Sequence, residues 1–154
     1  MNALIIEGFN ENHLQAVAAL EKECFSTPWS EEGLKAELTN PFARFFVAKV
    51  NGSVAGYIGA HNVLGEVYIT NIAVSEGFRK KGVGIALLKS LVSCAGREGA
   101  DFVTLEVRKS NLPAIALYEK SGFEKAGERT GFYENPKEDA LLMTYYFKKQ
   151  EDNL

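Results

Sequence analysis

Apolar positions along this chain switch between a period of two and a period of three to four, and the switches divide it into strands and helices. Residues 3–7, ALIIE, read as an edge or near-edge strand. Leu14, Val17, Ala18 and Cys24 then fall at helical spacing, with Asn10 or Asn12 as cap and Ser26-Thr27-Pro28 as the stop, since proline disfavours helical backbone in the residue before it. Ser30 ahead of Glu31 and Glu32 starts a second short helix to about Leu38, with a hydroxyl for the free N–H groups and an acidic first turn. The runs RFFVAKV (44–50) and VAGYIGAHN (54–62) flank Asn51-Gly52, a strong hairpin signal. A third run, 66–74, joins them through Leu64-Gly65.

Residues 84–98 carry Ile85, Leu87, Leu88, Leu91, Val92 and Ala95 on a broad apolar helical face, ending at Gly99. FVTLEV (102–107) is the next strand, and a right-handed strand–helix–strand crossover predicts that it lies parallel to 66–74. A helix from Leu112 or Pro113 to Lys120 precedes Gly122, and two strands, GFEKAGER (122–129) and DALLMTYYFKK (139–149), close the chain around a 131–139 loop containing Pro136. The order βααβββαβαββ predicts an α/β fold, a mixed sheet with helices on both faces. One domain spanning residues 1–154 is expected, with no repeat or linker.

Composition narrows the function classes. At 154 residues, 46% hydrophobic and 24% charged, the chain is a folded protein with one core. A net charge of −3 argues against a nucleic-acid binder, although a basic patch at 79–81 survives the average and an acidic QED run stands at 150–152. The apolar start is short and lacks a basic flank, so it reads as a strand rather than a signal peptide, and no run approaches membrane-spanning length. Cys24 and Cys94 sit in helical segments and are expected to be free packing thiols, with the cytoplasm as default location. His13 and His61 form no H-x-x-x-H pattern and the cysteines no C-x-x-C, so no metal site is expected.

The most informative stretch is 67–90, VYITNIAVSEGFRKKGVGIALLKS. A β-branched strand feeds a glycine-rich turn and a helix N-terminus, where the first N–H groups have no internal acceptor. Gly82 and Gly84 admit close backbone approach, and Arg79, Lys80 and Lys81 add positive charge, so the expected guest is a phosphate or pyrophosphate. A nucleotide-hydrolase loop is excluded because Gly84 is followed by Ile85-Ala86, and a dinucleotide fingerprint because its third glycine position is Leu87.

Alternation in FVTLEV puts Thr104 and Glu106 on one face, with Glu106 near the C-terminal end of a parallel strand, where open α/β sheets place ligands. Two readings stand for it: a general base, or an ion pair to Arg108 or Lys109 at the sheet end. Tyr118 is either a general acid for a departing thiolate or a packed amphipath closing a short helix. Trp29, between the first two helices, is either a hinge anchor on the core or a substrate contact.

The hexapeptide R-x-x-G-x-G, Arg79 to Gly84, resembles the pyrophosphate loop of the GCN5-related N-acetyltransferases, which bind coenzyme A. CFSTPWSEE (24–32), NIAV (71–74), FRKKGVGIALL (78–88), TLEVRKSNLPAIALYEKSGF (104–123) and GERTGFYENPKEDALLM (127–143) together resemble the branch of that family that acetylates the N-terminal alanine of bacterial ribosomal protein S18. The resemblance implies acetyl-CoA as co-substrate and the S18 N-terminus as partner. By it, the backbone of Ile72, Ala73 and Val74 would pair with the pantetheine arm where two parallel strands splay. The N–H groups of Lys81, Gly82, Val83 and Gly84, with neighbouring Arg79, Lys80 and Ile85, would hold the pyrophosphate. Asn111 would help position the cofactor, Glu106 would act as base and Tyr118 as acid, and Trp29 and Tyr133 would flank the peptide. One departure stands out: the family usually carries adjacent tyrosines after the arginine of the penultimate loop, and here Arg129 leads to Phe132-Tyr133. A small-amine acetyltransferase would share the cofactor features and differ at the 26–33 and 129–137 loops. A non-catalytic acyl-coenzyme-A sensor would have no use for Glu106 and Tyr118.

Overall fold

A computed structural model describes residues 3–148. Lys149 of the last expected strand and the QED run lie outside the described residues. The elements are β1 (Leu4–Gly8), α1 (Leu14–Cys24), α2 (Glu31–Glu37), β2 (Ala43–Val50), β3 (Ser53–Val63), β4 (Glu66–Val74), α3 (Val83–Arg97), β5 (Phe102–Arg108), α4 (Leu112–Lys120), β6 (Glu124–Tyr133) and β7 (Glu138–Tyr146). They form a seven-stranded sheet in the order β1-β2-β3-β4-β5-β7-β6, antiparallel except between β4 and β5. The expected element order, mixed sheet and parallel neighbours are all present.

In place of the one core expected from length, each sheet face carries its own. On one, Leu14, Val17, Ala18 and Leu20 of α1 and Leu34 of α2 pack on Phe45, Val47, Tyr57 and Ala73. On the other, Leu87, Leu88 and Leu91 of α3 and Ile115 and Tyr118 of α4 cover Val67, Ile69, Val103, Leu105 and Val107. Leu87, Leu88 and Leu91 are fully buried, each worth about 1.5–3 kcal/mol relative to exposure.

The parallel pair is short. Register between β4 and β5 runs only from Glu66↔Phe102 to Tyr68↔Thr104, although both strands continue well past it. The cause lies on the other side of β4, where Ala60 faces Ile69 and Gly59 faces Asn71, leaving Thr70 as an unopposed extra residue. Such a bulge bends its strand and sharpens its twist, carrying the end of β4 away from β5. Thr70 secures it by donating from Oγ1 to the Gly59 carbonyl at 3.1 Å. The bulge also resets alternation: Val67 and Ile69 before it, and Ile72 and Val74 after it, all join the α3 core, while Ala73 joins the α1 core.

Local signals mostly act as expected. Asn10 is the cap ahead of α1, through a short 3-10 turn at Glu11–His13 and a capping box with His13. The Ser30 hydroxyl accepts from the Gly33 N–H at 3.0 Å to start α2. The C-terminal hairpin differs: β6 runs to Tyr133 instead of ending at 129, because an irregularity between Arg129 and Tyr133 keeps Tyr133 paired with Glu138. The expected 131–139 loop shrinks to a turn between these strands.

Candidate active site

The splay between β4 and β5 opens a cleft of about 540 Å³ that cuts between the sheet faces. Glu106 shares a strand face with Thr104, opposite the core-facing Val103, Leu105 and Val107. Tyr118 arrives from α4 in the other core, and both side chains line the cleft together with Asn71, Ile72, Asn111, Trp29 and Tyr133. A carboxylate from one side and a phenol from the other therefore line one cleft where the two strands part.

The Glu106 side chain is 4% exposed. Its Oε1 accepts from Arg129 Nε at 3.0 Å, and its Oε2 is buried with no hydrogen-bond partner among the described residues. The ion pair foreseen with Arg108 or Lys109 does not form. Arg108 is held by Glu138 at 3.3 Å and by the carbonyls of Pro136 and Glu134, and Lys109 pairs with Glu128 at 3.1 Å. Strand geometry explains the change: Arg129 sits on β6, beyond β7, and reaches Glu106 across a strand that separates them in the sheet but not in side-chain length.

Tyr118 is buried, and desolvation, reinforced by Tyr133, pushes its phenol up to about 12. It therefore carries its proton throughout the physiological range. Tyr68, at the last paired rung beside Glu106, is pushed up to about 12 by burial and then by that carboxylate. Tyr133 has the Arg108 guanidinium 4.5 Å from its ring centre, and Phe132 meets it edge-on at 5.0 Å. The Trp29 ring lies 6.3 Å from that of Phe45, packed against the α1 core, and the residue also lines the cleft.

Gly82 is the N-cap of α3 with φ 83°, a left-handed conformation that suits glycine, and it has no side chain to cap the helix. Lys80 is also left-handed, at φ 63°. Together they reverse the backbone just ahead of the positive end of a four-turn helix, a setting that fits a pyrophosphate. A Cβ on Gly84 would stand 3.3 Å from Leu117 Cδ2, so the helix start packs tightly on α4. Arg79 folds back, donating from Nε to the Val74 carbonyl at 3.0 Å, with its Nη2 3.7 Å from the Cys24 sulfur. Cys24 thus borders the cleft instead of only packing its helix. Asn111 caps α4 by accepting from the Ala114 N–H at 3.3 Å, which leaves its side-chain NH₂ as a donor. Among the described residues no group of three or more His, Cys, Asp or Glu side chains could hold a metal ion, and no helix is long and apolar enough to cross a membrane.

Sequence reasoning missed Glu21. Its side chain is fully buried on α1, where Oε1 accepts from the Trp29 N–H at 2.8 Å and Oε2 from the Tyr57 hydroxyl at 2.6 Å and Asn71 Nδ2 at 2.9 Å. The signal was present: Leu14, Val17, Ala18 and Glu21 stand at i, i+3, i+4 and i+7, so the apolar stripe contains a carboxylate.

The model of the acetyltransferase (GNAT) family matches residues 14–123. The ribosomal protein bS18-alanine N-acetyltransferase of Escherichia coli (strain K12) is 34% identical over 140 residues, 90% of this chain and 94% of its own length. An N-alpha-acetyltransferase of Saccharolobus solfataricus is 42% identical over 112 residues, 64% of this chain and 66% of its own. The crystal structure of the Escherichia coli ribosomal-protein-S18-alanine N-acetyltransferase superposes with a TM-score of 0.89 at 32% identity, covering 99% of both chains.

Proposed function

The chain belongs to the acetyltransferase (GNAT) family, and from that premise we propose that it moves acetyl from acetyl-CoA to the N-terminal α-amine of a protein, the alanine of ribosomal protein S18. The whole chain works as one acetyltransferase domain, in the cytoplasm. The observation that carries the reading is the buried, unpartnered Glu106 Oε2 in the β4–β5 cleft, with the Tyr118 phenol lining the same cleft from the other core. A carboxylate oxygen left without a donor in a closed site is an acceptor awaiting one, and an ammonium supplies it.

Acetyl-CoA supplies the activated acyl group. Its pyrophosphate is held by the N–H groups of Lys81, Gly82, Val83 and Gly84, with Arg79, Lys80 and Ile85 around them. Ile72, Ala73 and Val74 offer backbone to the pantetheine arm, and the Asn111 NH₂ adds a donor. An acceptor amine must lose a proton before it attacks. An α-amine at about 7.7–8.0 loses it more readily than a lysine near 10.4, a difference of roughly 3.4 kcal/mol. Glu106 takes that proton, directly or through water. Attack by the free amine on the thioester carbonyl needs no covalent enzyme intermediate, and a backbone N–H of residues 72–74 steadies the developing oxyanion. Tyr118 faces the leaving sulfur. With its phenol near 12 and a thiol near 8.5, proton transfer from it is uphill, so the phenol acts as a hydrogen-bond donor to the thiolate, which takes up the proton that the new amide nitrogen releases.

Trp29 and Tyr133 form the walls for a short extended peptide, and Phe132 supplies a ring without the hydroxyl usual in the family. The test is mass spectrometry with fragmentation after incubation with acetyl-CoA and three acceptors: an alanine-starting S18 peptide, the same peptide blocked at its N-terminus, and a polyamine. Acetyl on the α-amine of the first is the expected result. Preferred acetylation of the blocked peptide or the polyamine overturns the N-terminal reading and moves the enzyme to the lysine or small-amine class.

A further inference from the structure

Asn71 stands on β4 immediately after the bulge, on the α1 side and in the cleft. Its orientation is dictated from behind. Glu21 is a carboxylate, an acceptor only, so each group around it must donate. Trp29 does so with its backbone N–H and Tyr57 with its hydroxyl, which burial and the Glu21 charge keep protonated by raising its pKa well above the ordinary range. Asn71 must then turn its NH₂ inward to Glu21, at 2.9 Å. Its side-chain oxygen is left without a partner among the described residues, at a position that lines the cleft. A neutral amide thereby becomes a fixed acceptor, in the cleft that also holds the unpartnered Glu106 Oε2.

We propose that Asn71 Oδ1 accepts a hydrogen bond from the acceptor's ammonium as it enters, and that Glu21 is the positioning residue that fixes this polarity. The pair rests on the acetyl-transfer reading above, but serves any cationic amine. Trp29 hangs on the same carboxylate, so one buried group sets both the groove wall and the amine acceptor.

The experiment is a polarity swap, read by steady-state kinetics on the full chain with acetyl-CoA and whichever amine the wild type acetylates, so that failure of the S18 assignment leaves it readable. In Glu21→Gln the new NH₂ must donate, and Asn71 turns its oxygen inward and its NH₂ toward the incoming cation. The KM for the amine should rise about tenfold, the scale of one charge-assisted hydrogen bond, with acetyl-CoA affinity by calorimetry unchanged. In the double variant Glu21→Gln/Asn71→Asp, the glutamine donates to one oxygen of the introduced carboxylate while the other oxygen faces the cleft. The KM should return to within about threefold of wild type, since an acceptor again meets the cation. A loss of packing alone predicts no such return. If Glu21→Gln does not fold, Asn71→Ala reads the same contact and should raise KM with kcat largely kept. An unchanged KM in a folded Glu21→Gln or Asn71→Ala protein, or a double variant no better than the single, overturns the proposal.

Discussion

Two carboxylates are buried on the α1 face of this sheet, and they are furnished in opposite ways. Glu21, beneath the α1–α2 connection, has three donors from three parts of the chain. Glu106, at the β4–β5 splay, has one oxygen on an arginine that is itself mostly exposed, and the other on nothing among the described residues. An ionised carboxylate in low dielectric is tolerated when its lone pairs are answered. The first region meets that condition and builds structure. The second leaves it half met, and such unmet demand is a mark of chemistry. Burial alone therefore does not distinguish a scaffold acid from a reactive one; the count of donors does.

The contrast breaks if Glu106 behaves as a scaffold acid. Glu106→Gln keeps the size but cannot take the ammonium proton, so kcat at neutral pH should fall by about 10²- to 10⁴-fold. Stability should change by less than about 1 kcal/mol, since the ion pair lost is with an exposed Arg129. The deficit should narrow as pH rises and free amine accumulates. Superimposable pH–rate profiles would remove Glu106 from the reaction. Glu21→Ala should do the reverse in kind, destabilising by about 3 kcal/mol in urea because three buried donors lose their acceptor. A loss under about 1 kcal/mol would mean that water replaces the carboxylate and that the first region is less closed than its hydrogen bonds imply.

The smallest effect sharpens the reason Glu106 stays half paired. Glu138 keeps Arg108 occupied. The Ser110 side chain first, then its backbone N–H and Arg108, hold the Glu138 carboxyl below its ordinary 4.5 against the opposing effect of burial. A depressed carboxyl stabilises the fold above its unfolded value and loses that contribution as pH falls through its folded one. The urea midpoint should therefore fall less between about pH 5 and pH 3 in Glu138→Gln than in the parent. Equal acid slopes would detach Glu138 from that role.

What the sequence discloses follows the range of the interaction. The glycine loop, the caps at Asn10 and Ser30 and the facing of Glu106 are set within a few residues, and all were legible. The partner of Glu106 was not, because Arg129 lies across β7 and the register of β6 depends on an irregularity that no local signal marks. The role of Glu21 was not legible either, because its donors, the Trp29 N–H, Tyr57 and Asn71, come from separate parts of the chain. The splay followed from family resemblance, whereas its physical cause, the unopposed Thr70, shows only when β3 and β4 are laid side by side.

Thr70 acts on its strand as an inserted letter acts on a reading frame. Every side chain downstream of it is rephased: with the extra residue, Asn71 and Ala73 look toward α1, and Ile72 and Val74 toward α3. Pairing Thr70 in regular register with β3 would exchange the two sets, driving an amide into an aliphatic core and baring isoleucine and valine to the groove, whereas deleting it would keep the facing and lose the bend that opens the cleft. The position thus has freedom of identity but none of number. Variation among such enzymes should record many residues at 70 and hardly ever a gap.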